Sequence, residues 1–304
     1  MINKPYIALF LSIVSVSFAA IFIVTLEKTF QTNPLTISFY RLFFTTLLIC
    51  PYVILNKKIH IEIKQLSSRQ LILLIGIGLI LAAHFALWIT SLQMTSVASS
   101  VILVTAHPIL VAPLALFFLK EKLRPIHIFG ILLSVTGVIF LVYGNYGWSF
   151  SSIDTLPGNI LAMLGGVAAG LYILGGRSFR KTTSLATYVF IVYSFGSIAL
   201  FFICIGFSAP LIEISIDELG IIFGMAIIAG IFGHTMYNWS LKHVRASLAS
   251  VVLLGEPIGS TILAFILPWI HQVPSYFTII GGGIILIGIY LTSRKTYNED
   301  FSNV

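Results

Sequence analysis

The sequence predicts an all-α integral membrane protein of ten transmembrane helices, arranged as two inverted five-helix repeats. Three observations lead to this prediction. Hydrophobic residues make up 58% of the 304 positions and charged residues only 9%, whereas soluble domains carry about a quarter charged residues. Basic residues alternate between successive connecting segments, and the second half of the chain repeats landmarks of the first. The composition excludes a water-soluble globular domain.

Ten apolar runs are long enough to cross the bilayer core, which takes about 20 helical residues. The first run is too long for an ordinary signal sequence and is not followed by an A-x-A cleavage site, so it is interpreted as a retained helix. The connecting segments are too short to hold a nucleotide-binding domain, which argues against an ATP-driven pump. The predicted spans are residues 5–26, 34–55, 70–92, 95–119, 125–144, 157–177, 184–208, 217–241, 246–269 and 274–293.

The charges are distributed asymmetrically across these spans. With the N-terminus inside, 15 of the 17 basic residues fall in inner segments, while Lys28 lies in an outer loop and Arg41 within a span. This positive-inside bias predicts a multi-pass protein of the cytoplasmic membrane with both termini in the cytoplasm. The net charge of +7 therefore reflects topology, and we expect no nucleic-acid partner.

Landmark residues recur after about 150 positions, which indicates an internal repeat. Pro108 and Pro257 are 149 residues apart, and His84 and His234 are 150 apart. Because each copy holds five helices, an odd number, the second copy enters the membrane from the opposite side.

We therefore predict a first repeat over residues 1–150 (helices 1–5) and a second over 151–304 (helices 6–10), followed by a short cytoplasmic tail. Inverted repeats with polar or broken helices near the membrane midplane are typical of secondary transporters, whose binding sites lie between the halves. A duplication without functional meaning is the alternative interpretation.

Ionisable residues inside spans are costly and usually face a cavity or a partner. For Arg41, the alternatives are a side chain that reaches out to the membrane surface and a fork that binds a substrate carboxylate or an acid inside the bundle. The spans contain five such residues, Arg41, His84, His107, His234 and Glu256.

Two helix faces carry matching polar and aromatic pairs. His84 and Trp88 are four residues apart on the third helix, and His234 and Asn238 are four apart on the eighth, with Tyr237 beside Asn238. Residues at this spacing share a helix face. The two faces are expected to form opposite walls of one cavity, with packing roles as the alternative. Two histidines without cysteine or clustered carboxylate fall short of a zinc site, so no metal is expected.

His107-Pro108 and Glu256-Pro257 occupy equivalent places in the two halves. A proline inside a helix removes a hydrogen bond and kinks the helix. Pro108 and Pro257 are therefore predicted hinges, although a purely architectural kink would give the same pattern.

The stretch "PLALFFLKEKLRPIHIFGILLSVTGVIFLV" (113–142) resembles the EamA-domain signature of the drug/metabolite transporter (DMT) superfamily, in which a small-residue helix ends in an acid and a short basic turn leads into a glycine-bearing helix. "LLGEPIGSTILAF" and "IIGGGIILIGIYL" (279–291) resemble a second copy, and "FYRLFF" resembles the arginine-bearing second helix of the family. The resemblance covers nearly the whole chain and implies ten helices in two inverted EamA repeats.

The same resemblance implies a central cavity lined by the third, fourth, eighth and ninth helices, with contributions from the first and sixth. The sequence departs from the family pattern at one place. The second repeat usually ends its ninth helix with an acid matching Glu121, but here residues 268–272 read "PWIHQ". At the cavity positions the sequence has His84, Trp88, His234, Asn238 and Glu256.

The predicted function is secondary transport of a small polar metabolite by alternating access, foremost export of an amino acid or a related compound. A zwitterion suits a cavity with Arg41 at its outer side and Glu256 at its centre, and Trp88, Tyr237 and Trp239 could add aromatic contact. Proton coupling through Glu256 and facilitated exchange both stay open.

The alternative functions are a carrier or exchanger for organic cations, nucleoside-like metabolites or drugs and, less favoured, a channel or an intramembrane enzyme. Enzymatic activity is not expected, because no nucleophile and base are paired at membrane depth. The expected partners are a small-molecule substrate and the lipid bilayer, without a cofactor, and the oligomeric state stays open.

Overall fold

A computed structural model describes residues 4–95, 100, 103–146, 155–267 and 273–294. Within these ranges the protein consists of helices and short connections, without β-strands. In the same part of the chain, eight helices are long and apolar enough to cross a membrane. Two shorter apolar helices, Leu103–Phe118 and Pro125–Leu141, coincide with the predicted fourth and fifth spans. Residues 147–154, where the two repeats were predicted to join, lie outside the described residues.

The helices are numbered here in chain order. In the first half they are α1 (Lys4–Thr25, continued by a π-helical turn over Leu26–Phe30), α2 (Pro34–Leu55), α3 (Lys57–Gln65), α4 (Ser68–Met94), α5 (His107–Phe118) and α6 (Pro125–Tyr146). In the second half they are α7 (Leu156–Arg180), α8 (Leu185–Gly206), α9 (Ile216–Ser240), α10 (Ala246–Val252 and Glu256–Ile266, joined by a 3₁₀ turn over Leu253–Gly255) and α11 (Tyr276–Ser293).

Local sequence explains where several helices begin. Asn33 precedes α2, and its side-chain oxygen accepts a hydrogen bond from the Leu35 backbone N–H at 2.9 Å. Ser215 and Glu218 form a reciprocal capping box at the start of α9. Such caps satisfy backbone N–H groups that have no partner inside the helix.

The α3 helix is a feature that the sequence prediction missed, because its residues were assigned to an inner loop. It is short and amphipathic, with Ile59 only 5% exposed. Glu62 accepts hydrogen bonds from the Ser184 backbone N–H and the Thr187 hydroxyl, both at 2.7 Å. Burial raises the pKa of Glu62, but these hydrogen bonds and the nearby charge of Arg180 outweigh burial and lower it overall. The segment thus ties the first half of the chain to the start of α8.

The first helix of each half packs on the other half. The α1 helix contacts α9 and α10, and α7 contacts α4 and α5. Equivalent helices also pair directly, α2 with α8 and α6 with α11. The two halves are therefore interlocked rather than placed side by side.

Equivalent helices run antiparallel where they pair. The Thr36 hydroxyl near the start of α2 donates to the Pro210 carbonyl just after α8 at 2.7 Å. In the other pair, Gly130 near the start of α6 lies against Gly288 near the end of α11. A Cβ atom on Gly130 would stand 2.7 Å from the Gly288 carbonyl oxygen. Only glycine permits this backbone contact.

The helices near the centre of the bundle are irregular. The α5 helix begins at His107 directly after a turn at Ala106, and α10 is interrupted just before Glu256. The α9 helix contains a π-helical stretch over Ala226–Thr235. Irregular backbone at membrane depth is tolerated where it is buried in protein or lines a cavity, and π-helical turns often mark functional sites.

Basic residues gather at one end of the bundle, which we call the basic end. It comprises the start of α1, the α5–α6 connection and the α9–α10 connection, which contact one another. Arg245 donates to the His127 ring at 3.0 Å and to the Thr292 carbonyl at 3.1 Å. The segments of the basic end are among those that the charge distribution assigns to the inner side of the membrane.

Candidate functional site

The five ionisable residues predicted inside spans meet in the interior of the bundle, and we call them the central cluster: Arg41, His84, His107, His234 and Glu256. Each comes from a different helix, namely α2, α4, α5, α9 and α10. The Phe85 ring contacts three of them, the guanidinium of Arg41 and the rings of His84 and His234. Glu256 lies within electrostatic reach of Arg41, and His107 within that of His84. Both halves of the chain thus contribute to one polar site.

Arg41 lies inside the bundle, not at its surface. Its side chain is 2% exposed, and its guanidinium carbon stands 4.5 Å from the centre of the Phe85 ring. The Phe85 ring also contacts the ring of His234, which meets it edge-on with centroids 5.5 Å apart. Cation–π attraction of this kind is strongest where water is excluded. Of the two alternatives for Arg41, the interior position is the one observed.

His84 and Trp88 share a helix face, as their spacing predicted. Their rings are stacked with centroids 5.8 Å apart and planes inclined by 8°. The Nδ1 atom of His84 lies 2.9 Å from the Gly165 carbonyl of α7, which fixes the ring orientation from the opposite half. Both side chains remain partly exposed.

Glu256 opens the second segment of α10, so its carboxylate lies at a helix N-terminus in the middle of the bundle. The Ser17 hydroxyl of α1 donates to the Glu256 backbone carbonyl at 3.3 Å, and the Ser260 hydroxyl donates to the Ser17 carbonyl at 3.0 Å. These bonds fasten the break in α10 to α1. Within the described chain no ion pair shorter than 4 Å joins Glu256 to Arg41, although their charges interact.

Several polar atoms of the site have no hydrogen-bond partner among the residues that the structure describes. They are Nη1 of Arg41, Nδ1 of His107 and Nε1 of Trp88. Native proteins pair nearly all buried polar groups with protein or water. Three such atoms at one site indicate groups that a polar ligand could satisfy.

A small void of about 10 Å³ lies beside this group, lined among others by Arg41, Phe85, Tyr193 and His234. This is about the space that one water molecule needs. The described side chains thus pack closely around Arg41 on this side. Over the same part of the chain, no group of three or more histidine, cysteine or carboxylate side chains is placed to hold a metal.

Three residues predicted to line the cavity lie elsewhere. Asn238 is fully buried, and its side-chain NH₂ donates to the Tyr172 hydroxyl at 2.6 Å and to the His234 carbonyl at 2.8 Å. Tyr237 is 2% exposed, and the Trp239 ring contacts that of His243 in a tilted arrangement, with centroids 4.9 Å apart. These hydrogen bonds turn the Asn238 side chain toward Tyr172 and toward the backbone of its own helix.

The sequence prediction missed two tyrosines next to the cluster. Tyr193 borders the same void as Arg41 and accepts a hydrogen bond from Asn238 at 3.1 Å, while Tyr172 accepts another. Tyr193 follows Arg41 by 152 positions, close to the repeat spacing, so a search for hydroxyl-bearing aromatic residues at that spacing would have found it.

A second polar site lies at the basic end. The buried carboxylate of Glu121 accepts hydrogen bonds from the backbone N–H groups of Ala246 at 2.6 Å and Ser247 at 3.3 Å, and from the Ser247 hydroxyl at 3.0 Å. Arg177 approaches it at 3.6 Å. Glu121 of the first half therefore caps α10 of the second. The equivalent place in the second half, residues 268–272, lies outside the described residues.

A polar site enclosed between two halves of a membrane-spanning bundle is the arrangement of a membrane transport protein. The model of the EamA-like transporter family matches residues 5–143 and 156–294. The chain therefore belongs to the EamA-like transporter family, within the DMT superfamily, and is a multi-pass membrane protein.

Curated relatives agree with this membership. An uncharacterized transporter of Archaeoglobus fulgidus is 25% identical over 281 residues, which are 88% of this chain and 90% of the relative. The aromatic amino acid exporter YddG of Ancylobacter novellus is 25% identical over 191 residues, 62% of this chain and 64% of the relative. A solved crystal structure superposes with a TM-score of 0.77 over 95% of this chain and 96% of the other, at 17% identity, which supports the fold alone.

Proposed function

We propose that this protein is a secondary transporter that exports amino acids or closely related compounds across the cytoplasmic membrane. The observation that carries the proposal is the central cluster, in which Arg41 and Glu256 lie close enough to interact without forming a direct ion pair. A zwitterion would bind between them when the transport cycle opens this site, with its carboxylate toward Arg41 and its ammonium group toward Glu256.

The broken helices favour a ligand with a carboxylate. His107 and Glu256 each stand at the first turn of a helix that begins inside the bundle. Helix N-termini carry partial positive charge and unpaired N–H groups, and transporters use such half-helices to hold anionic substrate groups. Arg41 adds a full charge and an unpartnered Nη1 atom to the same region.

The aromatic residues favour an amino acid with a large side chain. Trp88 has an unpartnered ring N–H and is partly exposed beside His84, and its face is stacked on the histidine ring. Aromatic pairs of this kind can extend their stacking to a ligand ring. A relative named as an aromatic amino acid exporter supports the same substrate class.

The mechanism that suits this architecture is alternating access, in which groups of helices drawn from both halves rock against each other, with Pro108 and Pro257 as hinges. Interlocked antiparallel pairs such as α6 and α11 would move as units. We place ten spans in the membrane as two inverted repeats, 1–150 and 151–304, with both termini in the cytoplasm. Because Glu256 is an acid inside the bundle, transport could also be coupled to protons through it.

Counterflow in proteoliposomes tests the proposal. Vesicles loaded with unlabelled phenylalanine or tryptophan should accumulate the labelled amino acid when they contain wild-type protein. Glu256→Gln should lose this accumulation, because the amide cannot pair with the ammonium group. Glu213→Gln is the matched control, since Glu213 is an exposed acid at the opposite end from the basic end.

The same assay separates the alternatives. Accumulation of organic cations or nucleosides but not of amino acids would replace the proposed substrate with one of those classes. If Glu256→Gln transports every accepted substrate as well as the wild type, the central acid has no part in recognition and the proposed site is wrong. Repeating the assay with an imposed pH gradient measures coupling to protons.

A further inference from the structure

A lateral groove opens on the outside of the bundle near the basic end, apart from the central cluster. It lies between α1 and α9, beside the start of α8, and has a volume of about 470 Å³. Small-molecule pockets commonly have about 300–1,000 Å³. Its walls are apolar and include Ile7, Leu11 and Phe232, and among the described residues Lys4 is the one charged residue that lines it.

The groove has a direction. Lys4 and Trp239 stand at the basic end, while Leu11 lies seven residues further along α1, about 10 Å deeper at the rise of an α-helix. An occupant must therefore be apolar along its length and polar at the end near Lys4. A hydrocarbon chain with a charged head fits this description.

The mouth of the groove is positively charged. The Ser240 hydroxyl donates to the Pro5 carbonyl at 3.3 Å, which holds the turn containing Lys242 close to Lys4. Neither lysine has a carboxylate partner within 4 Å in the part of the chain that the structure describes. These positive charges favour an occupant with an anionic head group over one with a zwitterionic head group.

The pKa of His243 reflects the same local positive charge. Its ring contacts that of Trp239 at the mouth of the groove, with centroids 4.9 Å apart and planes inclined by 50°. Burial and the neighbouring charges of Lys242, Arg180 and Arg177 lower the pKa of His243. Tryptophan at this level is typical of membrane-interface anchors.

We propose that this groove is a binding site for an anionic phospholipid, with one acyl chain along Ile7, Leu11 and Phe232 and the phosphate between Lys4 and Lys242. Anionic lipids are attracted to basic residues next to spans. The site is separate from the transport site, so it stands whether or not the proposed substrate class is correct.

Thermal unfolding of the purified full-length protein in neutral detergent tests the proposal. Dioleoylphosphatidylglycerol should raise Tm in a saturable manner, because a ligand that binds only the folded state stabilises it, and dioleoylphosphatidylcholine should raise it much less. The double variant Lys4→Gln/Lys242→Gln should bind phosphatidylglycerol about thirtyfold more weakly. Leu11→Trp, which fills the groove from an exposed position, should abolish the specific effect.

Matched controls keep the test sharp. Lys57→Gln/Lys58→Gln removes two exposed lysines at the same end, and Phe10→Trp enlarges a neighbouring exposed side chain of α1 outside the groove. Both should respond to phosphatidylglycerol like the wild type. Native mass spectrometry should count one retained phosphatidylglycerol in the wild type and fewer in the groove variants, even where a substitution lowers the basal Tm.

Four results would overturn the proposal. Equal stabilisation by the two lipids would remove the charge selectivity. An equal loss in Lys57→Gln/Lys58→Gln would show general surface attraction instead of a site. Undiminished lipid retention in Leu11→Trp would leave the groove without an acyl chain, and a Tm that rises with protein concentration instead of lipid would assign the surface to a second copy of the chain.

Discussion

At the break in α5 stands a histidine, and at the equivalent break in α10 stands a glutamate. His107 and Glu256 are each followed by proline, and each opens a helix inside the bundle. Near the position of Arg41 in the second half stands Tyr193, which carries a hydroxyl in place of a guanidinium. The backbone devices of the two halves match, whereas the charged groups differ.

The features that shape the helices, which we call the frame, are shared by the two halves, whereas the charged residues of the site are not. Prolines, glycines and helix pairings recur because packing and bending demand the same residues in both halves, as at Gly137 and Gly288. Arg41 and Glu256 have no counterpart of like charge in the other half, whereas the histidines His84 and His234 do recur. A frame with two equivalent halves thus surrounds one unsymmetrical site, which can bind a substrate with two unlike ends.

The largest expected effect comes from the pair Arg41 and Tyr193. Removing a buried charge that binds a ligand costs about 2–5 kcal/mol, so Arg41→Gln should raise the KM for the amino acid at least thirtyfold. Tyr193→Phe removes one hydroxyl, whose hydrogen bond contributes about 0.5–1.5 kcal/mol, and should raise KM tenfold at most. Concentration-dependent counterflow measures both, with Tm as a check on folding. Equal losses would mean that the two halves contribute alike.

Exchanging the two central residues should produce the next largest effect. The double variant His107→Glu/Glu256→His keeps the composition of the cluster but moves the carboxylate to a position near His84 rather than near Arg41. We expect less than a tenth of wild-type counterflow, since the distance between the carboxylate and the arginine changes and charge attraction falls with distance. Wild-type rates in the double variant would reveal a functionally symmetrical site.

The capping of α10 by Glu121 predicts a stability effect at one end of the bundle. Glu121→Ala leaves two backbone N–H groups and the Ser247 hydroxyl without their acceptor. Unsatisfied buried donors cost about 1–3 kcal/mol, so Tm should fall clearly. Glu213→Ala at the opposite end is the control and should leave Tm unchanged. A small effect of Glu121→Ala would mean that water replaces the carboxylate.

The smallest expected effect concerns Glu62 on α3. Its pKa is lowered from 4.5 in the folded protein, so its contribution to stability is present at pH values above the unfolded pKa and is lost as the pH falls through the folded pKa. Glu62→Gln should therefore melt slightly below the wild type at pH 7. The two melting curves should converge at pH values below 4.5, and a difference that persists there would point to lost packing rather than lost charge.

The sequence alone predicted most of the membrane-spanning arrangement. Span positions follow from the collective apolar character of about twenty residues, which single substitutions hardly change. Eight described helices satisfy the criteria for a span, and the two shorter ones coincide with predicted spans. The α3 helix was missed because its apolar residues, such as Ile59 and Ile63, are few and its many charges resemble a loop.

The site was harder to predict, because it depends on local irregularities of a helix and on contacts between residues far apart in the sequence. The stacking of His84 on Trp88 followed from helical spacing, as expected for a regular helix. Asn238 did not follow, because a π-helical stretch precedes it and the carbonyl of His234 recruits its side chain. The partner of Glu121 is Ala246, 125 positions away in the sequence, and only the packing of the two halves brings them together.

The crossed packing has a consequence for the order in which the protein is made. The α1 helix is synthesised first, yet its partners are α9 and α10, and α9 begins only at Ile216. Ser12 and Ser17 of α1 are fully buried in the finished protein. They stay without those partners while most of the chain is still being inserted. Complete assembly of the bundle is thus a late event that depends on the last third of the polypeptide.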